Sequence, residues 1–149
     1  MKRLPFRFIH GQPIISEQLD ADLDMLLNLI SSARHIVIPS FDTDETIIIG
    51  DGTIGITIPE EMNGYTLTKA LASVYSPSTS GNINVQLRHS RAGTDTDLLT
   101  NEIIVLEDEY YGEVENINKI VYKGDLIFPD VDLAGDEALG LFTVLTFEE

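Results

Sequence analysis

The sequence contains no cysteine and no tryptophan, and its 149 residues hold only 9 lysines and arginines against 25 aspartates and glutamates. Without cysteine, disulfides, thiolate nucleophiles and thiolate metal sites are all excluded, which fits a reducing cytoplasm. The shortage of cations gives a formal net charge of −16, and a body so acidic repels phosphate backbones, which argues against nucleic acid as a partner. Long apolar runs are also missing. No stretch approaches the roughly 18 to 20 apolar residues of a membrane-spanning helix. The basic start, with Lys2 and Arg3, is followed by a run too short and mixed for a signal peptide, so a soluble protein without a membrane partner is expected.

The charge is unevenly spread. Residues 1–13 carry Lys2, Arg3 and Arg7 with no acid, residues 14–34 set Arg34 against Glu17, Asp20, Asp22 and Asp24, and residues 35–149 hold 5 basic and 21 acidic residues. A basic arm therefore precedes an acidic body, and an arm of that kind is suited to docking on an acidic protein. At this length one domain, or one domain with an extension, is expected.

Pro5 and Pro13 limit helix in residues 1–15, which read as an extended arm. Beyond it Ser16 or Asp20 can cap a helix, because Leu19, Leu23, Leu26, Leu27 and Ile30 recur on one face of a 3.6-residue period. Asp20, Asp22 and Asp24 lie in its early turns, where the helix dipole favours anions.

After Arg34 the pattern changes to strands. His35 to Phe41, with Pro39 inside, predicts an edge or bulged strand. Thr46 to Ile49 and Ile54 to Ile58 flank Gly50-Asp51-Gly52, which reads as a hairpin with a glycine-rich turn. Leu67 to Tyr75 places Ala70, Ala72 and Val74 on one face, and a loop over Ser76 to Asn82 ends it. Asn82 to Arg88 alternates apolar and polar without exception, as a strand with one buried and one wet face does. Glu102 to Leu106, Val114 to Tyr122, Leu126 to Leu133 and Leu141 to Phe147 bring the total to about eight or nine strands, with a Gly135-Asp136 turn before the last. The expected fold is all-β, two packed antiparallel sheets over residues 35–149, preceded by an arm and one α-helix in residues 1–34. The closing segment, Gly124 to Phe147, reads as the end of that fold with nothing appended for catalysis.

Chemistry is sparse. His10 lies in the arm, His35 begins a strand and His89 ends one, and none stands in an HxxxH, HxH or Gly-x-Ser-x-Gly setting, so all three read as solvated or loop histidines. Acids cluster at Asp42, Asp44 and Glu45, at Asp95 and Asp97, and at Asp130, Asp132, Asp136 and Glu137. Asp130 and Asp132, two apart on a strand, face the same side, yet without the spacing of a calcium loop they read as a wet face. Paired carboxylates also occur in glycoside hydrolases, but a chain with this many acids holds such pairs by chance. No catalytic residue, metal or cofactor is expected. Glycan recognition would fall to Tyr65, Tyr75, Tyr110, Tyr111 and Tyr122, with the loops Ser76 to Asn82 and Ala92 to Asp97.

Two apolar stripes demand burial without saying against what. Leu19, Leu23, Leu26, Leu27 and Ile30 either cover the chain's own sheets or meet copies of themselves. Leu126 and Phe128, opposite in phase to Ile127 and Val131, pose the same question for a strand, so both stripes are oligomer-interface candidates.

Ile58-Pro59-Glu60-Glu61-Met62-Asn63-Gly64-Tyr65, Ser80 to Arg88, Asp97 to Ile103 and Gly124 to Phe147 together resemble a β-sandwich module common among tailed-bacteriophage virion proteins. The resemblance covers roughly residues 35–149 and rests mainly on turn glycines and core positions. It implies a jelly-roll-like, often trimeric structural or adhesive component of the virion, made in the bacterial cytoplasm, of the capsid-decoration or head-fibre type, with no enzymatic residues to carry over. By the same analogy the N-terminal segment is the anchor, with Lys2, Arg3, Phe6, Arg7, Phe8 and Ile9 docking on other virion proteins. The alternative is a carbohydrate-binding adhesion module of a phage fibre.

Overall fold

The computed structural model describes residues 33–149. The predicted arm and the helix over Leu19 to Ile30 lie outside the described residues. The rest is all-β, with ten strands in two antiparallel sheets. The first sheet orders β1 (Arg34–Thr46), β10 (Leu139–Glu148), β4 (Thr66–Ser76) and β8 (Tyr111–Ile120) side by side. In the second, β9 (Leu126–Leu133) pairs with β2 (Gly50–Asp51) and β3 (Ile56–Thr57) on one side and with β5 (Ile83–Arg91) on the other. β5 in turn pairs with β6 (Thr94–Asp97) and β7 (Ile103–Val105).

Side-chain alternation sets which face of each strand is buried. On β5, Ile83, Val85 and Leu87 are fully buried, as the strict alternation requires. Ala70, Ala72 and Val74 of β4 sit opposite Leu145, Thr143 and Leu141 of β10, all turned into the same core. Ile38, Leu67 and Phe147 join them from the first sheet, and Ile103, Val105, Ile127 and Val131 from the second, so one apolar core is fed by both sheets. The small side chains of β4 and β8 let the sheets come close. At Gly112 a methyl group would overlap the Ile104 carbonyl oxygen on β7.

β1 is an edge strand whose register shifts beside Pro39, as the proline foretold. The glycine-rich stretch after it is different from expectation. Gly50-Asp51-Gly52 turns no hairpin: Gly50 and Asp51 pair with Val131 and Asp130, and Ile56 and Thr57 pair with Ile127 and Leu126, so residues 50–57 run along β9 as an interrupted edge. The reason lies in Pro129, which has no N–H to offer this edge. Gly52 donates its N–H to the Pro129 carbonyl at 2.8 Å, so close that a side chain at Gly52 would overlap that oxygen. The glycines serve close backbone approach here, and a turn is only the commoner use of them.

A second departure is at Gly135-Asp136. Gly135 takes a positive φ and Asp136 forms a bridge with Ser80, and because β9 and β10 belong to different sheets the connection passes the chain from one sheet to the other. Ser78, fully buried, holds it. Its hydroxyl donates to the Ser80 carbonyl at 2.7 Å and accepts from the Asp136 N–H at 2.9 Å. The stretch Ala92 to Asp97 is mostly strand, because Thr94–Asp97 forms β6. Where β6 leaves β5 and β7 begins, Gln86 fills the gap like an inserted peptide. Its amide accepts the N–H of Leu99 at 3.0 Å and donates to the Leu99 carbonyl at 3.2 Å.

Two substitutions test this packing with opposite signs. Thr143 is fully buried and its hydroxyl has no partner among the described residues, so Thr143→Val, by removing it, is expected to raise the unfolding free energy by about 1 kcal/mol. Gly112→Val is expected to lower it by about 2 kcal/mol or more, because strands of two sheets must part. Urea denaturation of both variants measures each.

Candidate functional site

The residues singled out from the sequence divide into three groups. Lys2, Arg3, Phe6, Arg7, Phe8 and Ile9, and the stripe Leu19, Leu23, Leu26, Leu27 and Ile30, lie outside the described residues, as does His10. Leu126 and Phe128 stand on the outer face of β9, beside Gly55, with Leu126 exposed and Phe128 half-buried. The acids Asp130 and Asp132 share that outer face further along the strand.

Pairing brings Asp51 opposite Asp130 and Gln86 on its other side. Burial is the main influence pushing the Asp130 carboxyl up, with the Asp51 charge adding to it and Arg88 opposing. Burial likewise pushes Asp132 up, helped by a hydrogen bond with Glu102 and the Asp130 charge. Arg88 reaches Asp97 at 3.2 Å, and Asn84 donates to Glu102 at 2.8 Å. Among the described residues no group of three or more histidine, aspartate or glutamate side chains is arranged to hold a metal ion.

The most ordered polar cluster went unnoticed in the sequence. Asp125, buried at the entrance to β9, receives Arg91 in a two-pronged pair, Nε to Oδ1 at 2.8 Å and Nη2 to Oδ2 at 2.7 Å. The Tyr122 N–H adds 2.8 Å to Oδ2. His89 Nε2 lies 3.1 Å from Oδ2 without hydrogen-bond alignment, a charge contact that operates when the imidazole is protonated. His89 is enclosed, its side chain 12% exposed, in contrast to the expected solvated or loop histidine. The Arg91 guanidinium also lies over the Tyr122 ring, 4.6 Å from its centre. Arg91 first, and the Tyr122 N–H and His89 after it, hold the Asp125 carboxyl well below the usual carboxylate range despite its burial. With its oxygens taken, the carboxylate works as a clamp that ties the end of β5 to the β8–β9 connection. A lone Gly-Asp dipeptide between strands gave no signal of it.

The tyrosines scatter. Tyr65 packs against the core and Tyr122 belongs to the clamp. Tyr75 and Tyr111, 64% and 59% exposed, share the outer face of the four-stranded sheet, where Tyr111 lies opposite Ser73, two residues from Tyr75. The rows of that face are set by register: Pro39, Phe142, Ser73 and Tyr111 form one, and Val37, Val144, Leu71 and Glu113 the next. A third row carries His35, Thr146, Lys69 and Glu115, in which Lys69 bridges Glu113 at 2.8 Å and Glu115 at 3.0 Å. The first two rows are mostly apolar and the third is polar and charged.

A hollow of about 400 Å³ opens elsewhere, between Ile49, Leu133 and the Ser80–Asp136 bridge. No family model matches the chain, and no curated protein matches it.

The clamp and the acidic face predict opposite responses to acid. Asp125, depressed, contributes stability that is complete above its unfolded value of about 4 and is lost as pH falls through its lower folded value. Asp130 and Asp132, raised, gain stability as they protonate, over the range from their folded values down to about 4. The melting temperature is expected to rise as pH falls from neutral towards about 4 and to fall below that. Arg91→Ala, which leaves the buried carboxylate without its permanent cation, is expected to cost about 3 kcal/mol and to move acid unfolding to higher pH. Calorimetry across pH checks both.

Proposed function

We propose that this protein is a structural component of a tailed-phage virion, a capsid-decoration or head-fibre-like protein, whose all-β body is a jelly-roll-like sandwich and whose N-terminal arm attaches it to the particle. One observation carries the reading. The four stretches that resemble virion modules fall on the framework of the body: the β3–β4 connection with its short 3₁₀ turn at Glu60–Met62, β5, the β6–β7 link pinned by Gln86, and the β9–β10 passage held by Ser78. They are stretches that build a scaffold, and an acidic scaffold resists adhesion to nucleic acid. Its role is surface complementarity with other virion proteins, and it needs no catalytic group.

The second reading, a glycan-binding module of a phage fibre, is favoured by Tyr75 and Tyr111 alone, which expose two aromatic rings on one face. It requires the face to be free in solution.

Attachment is tested by deleting residues 1–15. The truncated protein is expected to keep the circular dichroism and melting behaviour of the body while disappearing from purified particles assayed by mass spectrometry. Its presence on particles at the normal level would sink the proposal.

A further inference from the structure

We infer that the outer face of the four-stranded sheet, centred on Leu71 and Val144, is where a second copy of this chain docks. The first argument is the sequence of the strands themselves. A strand wet on one face alternates, as β5 does, whereas a strand covered on both faces reads as a continuous apolar run. β10 reads Leu141-Phe142-Thr143-Val144-Leu145-Thr146-Phe147, and β1 begins His35-Ile36-Val37-Ile38. One phase of each is in the core, with Ile38, Leu141, Leu145 and Phe147 fully buried. The other phase, with Val37, Phe142 and Val144, has the composition of a buried face while standing outside the core. Leu71, Tyr75 and Tyr111 extend it across β4 and β8.

Charge identifies the occupant. Residues 35–149 hold 21 acidic residues against 5 basic ones, so two copies repel each other over most of their surfaces. In the three central rows of this face the positions contributed by β1, β10 and β4 carry no carboxylate, and the two on β8, Glu113 and Glu115, share Lys69, while the exposed Asp42, Asp44 and Glu45 of β1, beside Gly140 and Tyr75, and Glu148 of β10 stand at its margins. The centre of the face offers a basic partner only the two carboxylates that already bridge Lys69, and an identical acidic chain centred on Leu71 and Val144 keeps the remaining carboxylates of this sheet at the rim. The outer face of the other sheet is the reverse case. Leu126 and Phe128 are apolar, but Asp51, Asp97, Asp130 and Asp132 surround the same sheet, so self-association there would bring like charges together. The interface therefore lies on the face away from Leu126 and Phe128.

The inference does not depend on the virion reading, since copies can associate whether or not the arm finds a particle. Light scattering of the full chain after size exclusion, at up to roughly 100 μM, reads it directly. A multiple of the 16.5 kDa chain mass is expected for the native sequence. Leu71→Glu, and the still more exposed Tyr75→Lys, are expected to bring the mass to 16.5 kDa or to weaken association by about tenfold or more, with unchanged circular dichroism. Leu126→Glu is expected to leave the mass as it was. A native chain at the single-chain mass throughout overturns the proposal, and so does association that survives both variants or is lost only in Leu126→Glu. Glycan binding by a monomeric native chain that Tyr75→Lys abolishes overturns it in favour of a sugar.

Discussion

The described chain changes sheet at nearly every long passage: β1 is in the first sheet, β2 and β3 in the second, β4 in the first, β5 to β7 in the second, and β8, β9 and β10 alternate again. No disulfide is available to hold such a winding. The shared core must do it, because each sheet's ladders are completed by strands that arrive after the chain has visited the other sheet. The core positions of β4 and β10, Ala70, Ala72, Val74, Leu141 and Leu145, are thus constrained twice, by register within the sheet and by contact across it. Small residues are used where backbones of the two sheets nearly meet, as at Gly112.

Upon this frame polar groups act mainly as fasteners. Ser78 fixes the passage from β9 to β10, Gln86 replaces a missing ladder pair, and Asp125 locks Arg91 and the Tyr122 backbone at the other end of β9. Each is buried and satisfied by groups distant in sequence, which is the condition under which a polar side chain in an interior specifies geometry instead of weakening it. The acids that give the chain its charge mostly remain outside this scheme, and their work is to keep surfaces apart.

What the sequence disclosed follows from the range of the interactions. β5 was legible because alternation is a local signal, β4, β9 and β10 because apolar runs bounded by turn residues are, and Pro39 announced an edge or bulged strand for the same reason. β6 was missed because Thr94–Asp97 is polar and exposed throughout, a strand only by virtue of its pairing with β5. Gly50-Asp51-Gly52 was misread because its glycines answer to Pro129, far along the chain. The clamp of Asp125 was invisible on the same ground. His89 and Arg91 come from β5, Tyr122 and Asp125 from the β8–β9 connection, and no spacing between the two pairs encodes that meeting. The outer face of the four-stranded sheet was half legible: its apolar phase is plain in Phe142 and Val144, but the rows that join it to Leu71 and Tyr111 exist only in the folded register.

The ladder between β1 and β10 pairs Arg34 with Phe147, the first strand of the body with the last. During synthesis β1 and β4 therefore leave the ribosome with no partner in their own sheet to lie between them. At roughly 5 to 20 residues per second, the hundred or so residues separating β1 from β10 take on the order of 5 to 20 s to appear. Throughout that interval β1 lacks its ladder partner, and the four-stranded sheet cannot assemble from its middle outward. Nascent chains interrupted before Leu139 would be open edge strands, prone to capture by chaperones or to pairing with one another. Fold completion in this protein is set by when its tenth strand is made.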